Sequence, residues 1–337
     1  MHASRITCLC FRSLSVTQKR CISSRKLANA EVKKKRSKLF EAEKQRQLSL
    51  FERVEKVEVQ YNGVPEPCTL VMNKGLSTPY NCTMHMTEHV TKQAVLAVVN
   101  GKLWDINRPF TEDCSLSFLH FREDDPRAVN KAFWRSCSFM LGLVLDSAFK
   151  DDFFVQLCSF PKPDVRSGSF VYDVDLDMKD WKPTTVELRC MSQIGSRLKE
   201  KDYKFERLDI TLERAQEMFE DNTYKLEQLP SIAAKSESES HVTVYRVGDH
   251  VDISRGPMIS STAHLGRFDI TAAHKIDSKL SDTMYRVQGI ALPSQLQLHY
   301  WTYDQLVNRS KKLNSAPIPG TEEYNQPTEV QKKQATY

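Results

Sequence analysis

The sequence predicts an α+β fold, with a small strand-rich unit followed by a larger two-layer α+β unit. Three observations support this expectation. Short alternating strands separated by Asn-Gly turns fill residues 54–123, and a long amphipathic helix starts after Asp125-Pro126. Strand and helix patterns then alternate up to residue 312.

The N-terminal residues have the composition of a mitochondrial transit peptide. Residues 1–30 contain six Lys and Arg, several Ser and Thr, and no Asp or Glu. A secretory signal is disfavoured because the apolar run Ile6–Phe11 is short and interrupted. A disordered basic tail is the alternative. Residues 31–53, rich in Lys, Arg, Glu and Gln, predict a basic helical extension with solvated faces.

The small unit begins with a predicted hairpin. Val57, Val59 and Tyr61 alternate with polar residues, and Asn62-Gly63 supplies the turn before Thr69–Met72 returns as a second strand. Two hairpin strands, a helix and further strands are typical of a small β-grasp-like domain. The later elements are a helix over Thr83–Gln93 and strands over Ala94–Val99 and Ser115–Phe121.

The larger unit opens on a strong helix start, because Asp125 can cap the N-terminus and Pro126 suits the first helical position. Apolar residues then recur at steps of three and four, which predicts a long amphipathic helix ending near Lys150. Further along, the patterns predict strands over Ser169–Leu176, Val242–Val247 and Phe268–Ala273, helices over Thr184–Lys199 and Leu212–Asn222, and a low-complexity loop over Ser236–Ser240. Residues 313–337 are polar and predict a disordered tail.

The charge of the folded body differs from that of the whole chain. The chain carries +5, but residues 1–30 contribute +6 and residues 31–38 contribute +4, which leaves −5 from Leu39 onward. Any RNA contact is therefore expected to be local. Flexible cations before Leu39 would neutralise phosphates, although a solvated charge run is the alternative. These RNA-binding candidates are Lys33, Lys34, Lys35, Arg36 and Lys38.

Several other functional classes find little support in the sequence. No apolar run approaches the roughly 20 residues of a membrane-spanning helix. Six cysteines after the predicted leader are scattered without metal-type spacing, so reduced and mostly buried thiols are expected. His85 and His89 have H-x-x-x-H spacing with Cys82 nearby, but zinc would need a fourth ligand, which favours surface or half-buried histidines. We therefore expect no metal and no cofactor.

Several ordered strings resemble the N-terminal half of threonyl-tRNA synthetases. Phe133–Gly142 (FWRSCSFMLG) resembles the first metal-site helix of that family, and Tyr245–Met258 (YRVGDHVDISRGPM) resembles its second metal-site string. The other matching strings are Val98–Gly101, Ser167–Asp173 (SGSFVYD) and Lys204–Arg207. The resemblance spans about residues 54–300. It implies a TGS-like β-grasp domain over 54–123 and an editing-like domain over 124–312.

The same resemblance implies that an active site has been lost. The family's four ligand positions fall on Arg135, Phe139, Ser254 and Met258. Arg has no lone pair to offer and Phe has no donor atom, while Ser and Met are poor ligands for a water-activating metal. We expect Phe139 to fill the former pocket with Met258 packed against it. Arg135 would meet a phosphate or carboxylate in a partly open pocket, but a buried salt bridge is favoured.

A second resemblance concerns function. Leu39–Leu50 (LFEAEKQRQLSL) is similar to the N-terminal segment of a synthetase-like protein family of the mitochondrial large ribosomal subunit. It implies a non-catalytic structural role in mitochondrial translation, with large-subunit rRNA and neighbouring mitochondrial ribosomal proteins as partners and with no small-molecule substrate. Because the chain ends at Tyr337, aminoacylation is not expected either. The alternatives are a free-standing mitochondrial deacylase of mischarged tRNA and a tRNA-binding module outside the ribosome.

Overall fold

The computed structural model describes residues 28–236 and 240–319. Most of the predicted transit peptide, the centre of the Ser236–Ser240 loop and residues 320–337 lie outside the described part. The described elements form an α+β protein with three sheets.

Helix α1 (Asn29–Ser49) is not the fully solvated helix that its composition predicts. Phe40 is completely buried, and Glu43 and Arg36 are buried as well. The helix also starts before the predicted boundary at residue 31, because the Asn29 amide donates to the carbonyl of Phe153 at 2.7 Å. Some charges of α1 pair with the body: Lys44 lies 2.6 Å from Glu206. One face of α1 is therefore part of the core.

The small unit contains a five-stranded mixed sheet in the order β2-β1-β5-β3-β4, in which β1 and β5 are parallel. Apolar side chains of this sheet and of the helices beside it form a separate core that includes Val59, Ile106 and Phe110. The elements are β1 (Lys56–Tyr61), β2 (Cys68–Asn73), α2 (Pro79–Thr83), α3 (Glu88–Gln93), β3 (Leu96–Val99), β4 (Lys102–Trp104) and β5 (Cys114–Leu119).

The single helix predicted over Thr83–Gln93 is wrong, because two short helices occupy this region. Helix α2 begins at Pro79, and a turn separates it from α3. The Thr87 hydroxyl accepts from the Val90 amide at 3.4 Å and so caps the start of α3. His85 lies in the turn and His89 in α3, so they do not share one helical face.

The larger unit places helices against two sheets, a four-stranded sheet in the order β11-β12-β7-β6 and a three-stranded sheet in the order β10-β9-β8. The long helix α4 packs on β7 and β12 of the first sheet and also reaches β10 of the second. The elements are α4 (Arg127–Ala148), β6 (Gln156–Ser159), β7 (Phe170–Asp175), α5 (Thr185–Lys201), β8 (Glu206–Thr211), α6 (Leu212–Met218), α7 (Thr223–Ala234), β9 (His241–Val247), β10 (His250–Ile253), β11 (Leu265–Lys275), β12 (Met284–Pro293) and α8 (Tyr300–Ser310).

Most boundaries predicted for the larger unit lie within a few residues of the observed ones, with one exception. The helix predicted over Leu212–Asn222 ends at Met218, and α7 begins at Thr223. Asn222 causes the break, because its side chain accepts from the Lys225 amide at 3.0 Å and caps α7. Among the helices in the described residues, none is long and apolar enough to cross a bilayer.

The start of the predicted disordered tail is instead held by a buried arginine. Arg286 on β12 pairs with Asp173 on β7 at 2.8 Å and donates to the carbonyls of Asn314 and Pro317 at 3.1 and 2.9 Å. Asn314 is itself buried and donates to the carbonyl of Ser169 at 2.9 Å. Residues 313–319 therefore belong to the folded body, a result that their polar composition did not indicate.

Replacing Phe40 by Ala tests whether α1 is part of the core. Phe40 packs in the cluster over the three-stranded sheet, so Phe40→Ala should lower the free energy of unfolding by about 3–5 kcal/mol. The control is Leu50→Ala, since Leu50 is 67% exposed and should change stability by less than about 0.5 kcal/mol. Urea denaturation measures both variants, and equal effects would contradict the docked position of α1.

Candidate functional site

The structure brings together the four positions at which the resemblance places lost ligands. Arg135 and Phe139 lie on successive turns of α4, and Ser254 and Met258 flank the turn that follows β10. A guanidinium nitrogen of Arg135 donates to the carbonyl of Pro257 at 2.9 Å. Beside it, the Ser136 hydroxyl lies 3.4 Å from the Met258 sulfur. Helix and turn are thus in direct contact.

Phe139 fills the space between these segments with an aromatic ring. Its side chain has no exposed surface. Its ring centroid lies 5.9 Å from that of Phe205, 6.4 Å from that of Tyr245 and 5.1 Å from that of His250, all in edge-to-face geometry. Such ring pairs add about 0.5–1.5 kcal/mol each beyond the burial of their surface. The geometry agrees with the hypothesis that Phe139 occupies the former pocket, and Met258 is fully buried in the same core.

Arg135 does not form the buried salt bridge that the sequence favours. Within the described part of the chain, its hydrogen-bond partner is the Pro257 carbonyl, and no carboxylate lies within ion-pair distance. Burial lowers the pKa of its guanidinium, although Tyr245 and Asp105 oppose this shift and Arg255 adds to it. The expected salt bridge is not formed because Asp105, a carboxylate of this region, is already engaged by other donors.

The described residues hold no cluster of three or more His, Cys, Asp or Glu side chains suited to a metal ion. Ser254 is buried and its hydroxyl accepts from the Gly256 amide at 3.4 Å. At the other candidate position, His85 and His89 are both exposed. Burial raises the pKa of Cys82 to about 12, so its thiol stays protonated and is a poor ligand at neutral pH.

The turn between Ser254 and Met258 has a structural role. Gly256 has φ +67, a region that favours glycine. A Cβ at this position would lie 1.9 Å from the Tyr245 hydroxyl. Any side chain here would therefore displace Tyr245 from the centre of the molecule.

The residue that organises this region, Asp105, was missed by sequence reasoning. It follows β4 in the small unit and is 2% exposed. Its carboxylate accepts from the Met258 amide at 2.8 Å, the Tyr245 hydroxyl at 2.9 Å and Arg207 at 3.1 Å, all in the larger unit. Burial and the Asp105 charge raise the pKa of Tyr245, so the phenol remains a donor. The only sequence signal is an acidic residue among apolar neighbours.

A second missed feature is a buried histidine–carboxylate pair. His250 Nδ1 lies 2.6 Å from Asp146, and its Nε2 has no hydrogen-bond partner among the described residues. Such a pair is able to act as a general base only if a reacting group reaches the free nitrogen. His250 is 1% exposed and its ring packs against Phe139, so no substrate has access to it in this conformation.

The basic residues of α1 divide into two groups. Lys35 pairs with Glu220 and Asp221, and the buried Arg36 guanidinium lies 5.2 Å from the Phe219 ring centroid. Lys34 and Lys38 are exposed. The groove beside α1 has a volume of about 460 Å³ and is lined by Ala30, Lys33, Lys34, Ser37, Lys38 and Asp249. Three of the five predicted RNA-binding residues therefore share one groove.

Comparison with known proteins places the chain in a family, although no family model matches it. It is 47% identical over 301 residues to the large ribosomal subunit protein mL39 of Drosophila melanogaster, and the match covers 89% of this chain and 88% of that relative. The chain belongs to the mL39 family.

The chain is also similar to threonine–tRNA ligases. This chain is 28% identical over 286 residues to the mitochondrial threonine–tRNA ligase 1 of Arabidopsis thaliana, and 29% identical over 229 residues to a probable cytoplasmic threonine–tRNA ligase of Dictyostelium discoideum. It spans only 38% and 30% of the lengths of these two relatives. The synthetase-like resemblance found in the sequence is confirmed.

Replacing Asp105 by Asn tests its role between the two units. Removing one partner of a buried ion pair typically costs about 3–5 kcal/mol, so Asp105→Asn should lower the free energy of unfolding by that amount. Asp209→Asn is the matched control, because Asp209 also pairs with Arg207 at 3.1 Å but its side chain is 39% exposed. The control should cost less than about 1 kcal/mol. Chemical denaturation would contradict the role of Asp105 if the two variants were equally stable.

The pH dependence of stability tests the buried His264, which lies 2.7 Å from the Ser260 hydroxyl. Burial lowers the pKa of His264 from 6.5 to about 4, so between these values the unfolded chain binds a proton that the folded chain does not. His264 should therefore lower the free energy of unfolding by about 3 kcal/mol as the pH falls through this window. Urea unfolding across this window should show a smaller fall for His264→Gln than for the wild type. Parallel curves would contradict the prediction, and His299→Gln, at an exposed position, is the control.

Proposed function

We propose that this chain is a non-catalytic structural constituent of the large subunit of the mitochondrial ribosome, located in the mitochondrial matrix. The observation that carries the proposal is the match to the Drosophila large ribosomal subunit protein mL39, which extends over most of both chains. The same match supports a role in mitochondrial translation.

The side chains packed inside the site support a non-catalytic role for the chain. Arg135 and Phe139 offer no metal ligand, and the Phe139 ring is fully enclosed. The one imidazole–carboxylate pair nearby, His250 with Asp146, is buried behind that ring. A hydrolytic site for aminoacyl-tRNA needs an activated water with access to solvent, and this arrangement provides no path to one.

The domain assignment belongs to the same proposal. Residues 54–123 are a TGS-like domain, which the order of the five-stranded sheet and its parallel β1–β5 pair support. Residues 124–312 are a degenerate editing-like domain, which the similarity to threonine–tRNA ligases supports. Residues 1–30 are a mitochondrial transit peptide, supported by their Arg-rich and acid-free composition.

The partners proposed are large-subunit rRNA and neighbouring mitochondrial ribosomal proteins. The groove beside α1 would contact rRNA through Lys33, Lys34 and Lys38, because ammonium groups neutralise phosphates without reading sequence. The remainder of the body carries a net negative charge, which suits contact with basic ribosomal proteins.

Sedimentation of mitochondrial extract tests the proposal. A tagged full-length chain should travel with the large ribosomal subunit through a sucrose gradient, because a structural constituent stays bound. Recovery only in the light fractions would instead indicate a tRNA-binding module outside the ribosome.

A hydrolysis assay addresses the enzymatic alternative on the same purified protein. Serine should be released from Ser-tRNA no faster with the chain than without it, whether or not zinc is added. Clear turnover would contradict the non-catalytic assignment.

A further inference from the structure

Four cations lie on segments at the contact between the small and the larger unit. We call this group the junction seam and define it by Arg108, Arg135, Lys204 and Arg255. Asn107 fixes its geometry, because the side-chain amide donates to the carbonyl of Phe205 at 3.1 Å and to that of Ser260 at 2.8 Å. These two bonds hold the segments that carry Arg108 and Lys204 side by side.

Two cations of the junction seam are stacked on aromatic rings of the small unit. The Arg108 guanidinium lies 3.7 Å from the ring centroid of Trp104, and the Lys204 ammonium lies 4.1 Å from that of Tyr80. Cation–π contacts orient a side chain without neutralising its charge. Both charges thus have a defined position, and Lys204 remains available to an anion, whereas Arg108 also lies 4.0 Å from Asp209.

Arg135 supplies the strongest indication of an anion-binding position. Its side chain is half-buried and donates one N–H to the Pro257 carbonyl. The exposed Arg255 lies at the same turn. A guanidinium has five N–H donors, and removing it from water without a counter-charge is costly. An anion at this place would satisfy the remaining donors and offset that cost.

The local charge balance points the same way. Asp105 and Asp209 are engaged by Arg207, and Arg108 approaches Asp209 only to 4.0 Å. Within residues 28–236 and 240–319, no carboxylate forms an ion pair with the other three cations of the junction seam. This positive excess lies on a body that sums to −5 from Leu39 onward. A basic patch on an acidic body indicates a specific anionic partner.

We infer that the junction seam binds backbone phosphates of RNA, in addition to the groove beside α1. The inference rests on the proposed function, which places the chain beside rRNA. Planar guanidinium groups bind phosphate oxygens in a bidentate manner, and phosphates recur along a nucleic-acid strand. An acidic protein segment is the competing ligand and is an outcome of the test.

Binding of a fluorescent single-stranded oligouridylate to the full-length chain tests the inference. The double variant Arg135→Gln/Arg255→Gln should weaken binding about tenfold, and the slope of log affinity against log salt should fall by about 1.4, as expected for two lost phosphate contacts. The matched control is Arg189→Gln/Arg197→Gln on α5, which removes the same charge from exposed positions outside the junction seam. The control should leave the salt slope unchanged.

Two further variants distinguish a loss of RNA contacts from a folding defect. Arg255→Gln alone changes an exposed side chain and should reduce the slope by about half as much. Arg135→Lys keeps the charge and should restore part of the affinity. If the double variant binds oligouridylate like the control, the inference is wrong. It is also wrong if an oligoglutamate peptide binds more tightly than oligouridylate and loses its affinity in the double variant.

The two proposals fail in different ways. A full-length chain that travels with the large subunit, but whose RNA affinity is indifferent to the junction seam, refutes only the inference. Lys34→Gln/Lys38→Gln provides the comparison, because loss of RNA affinity in that variant alone would assign the contact to the groove beside α1. Failure of the wild-type chain to travel with the large subunit would refute the proposed function itself.

Discussion

Asp105 accepts hydrogen bonds from the Met258 amide, the Tyr245 hydroxyl and Arg207, and this small-unit carboxylate is thereby buried within the larger unit. A carboxylate in this environment is tolerable only because every contact is a donor. The arrangement explains why Gly256 is required at the turn, since any side chain there would displace Tyr245. Met258, one of the four positions at which the resemblance implies a lost ligand, is bonded directly to this group.

Aromatic packing fills the region of the larger unit in which the resemblance to threonyl-tRNA synthetases implies a lost site. Phe139 contacts three rings, and the histidine–carboxylate pair of His250 and Asp146 remains as a structural element behind it. An enzyme needs an open volume beside its reactive groups, whereas a ribosomal constituent gains stability from a filled one. The same helix and turn that would frame an active site therefore serve as core.

The basic residues illustrate how the fold decides which charges remain available. Lys35 and Arg36 look equivalent to Lys34 in the sequence, but the docking of α1 turns the first two toward Asp221 and Phe219. Conversely, Arg135 and Arg255 are far apart in the sequence, but Arg135 donates to the Pro257 carbonyl and therefore lies at the turn that carries Arg255. A charge run in the sequence therefore overestimates the cations that remain available, and it does not reveal cations that the fold brings together.

The sequence by itself determined the α+β class, the long helix α4 and most strand positions, because these depend on local periodicity. The loss of four ligand residues stays a prediction from the resemblance. The sequence also supported membership of the mL39 family. Tertiary structure alone decided that α1 docks through Phe40, that Asn314 is tied into the core, and that Asp105 joins the two units. The physical reason is that burial of a polar or charged group depends on partners distant in the chain, and no local pattern encodes those partners.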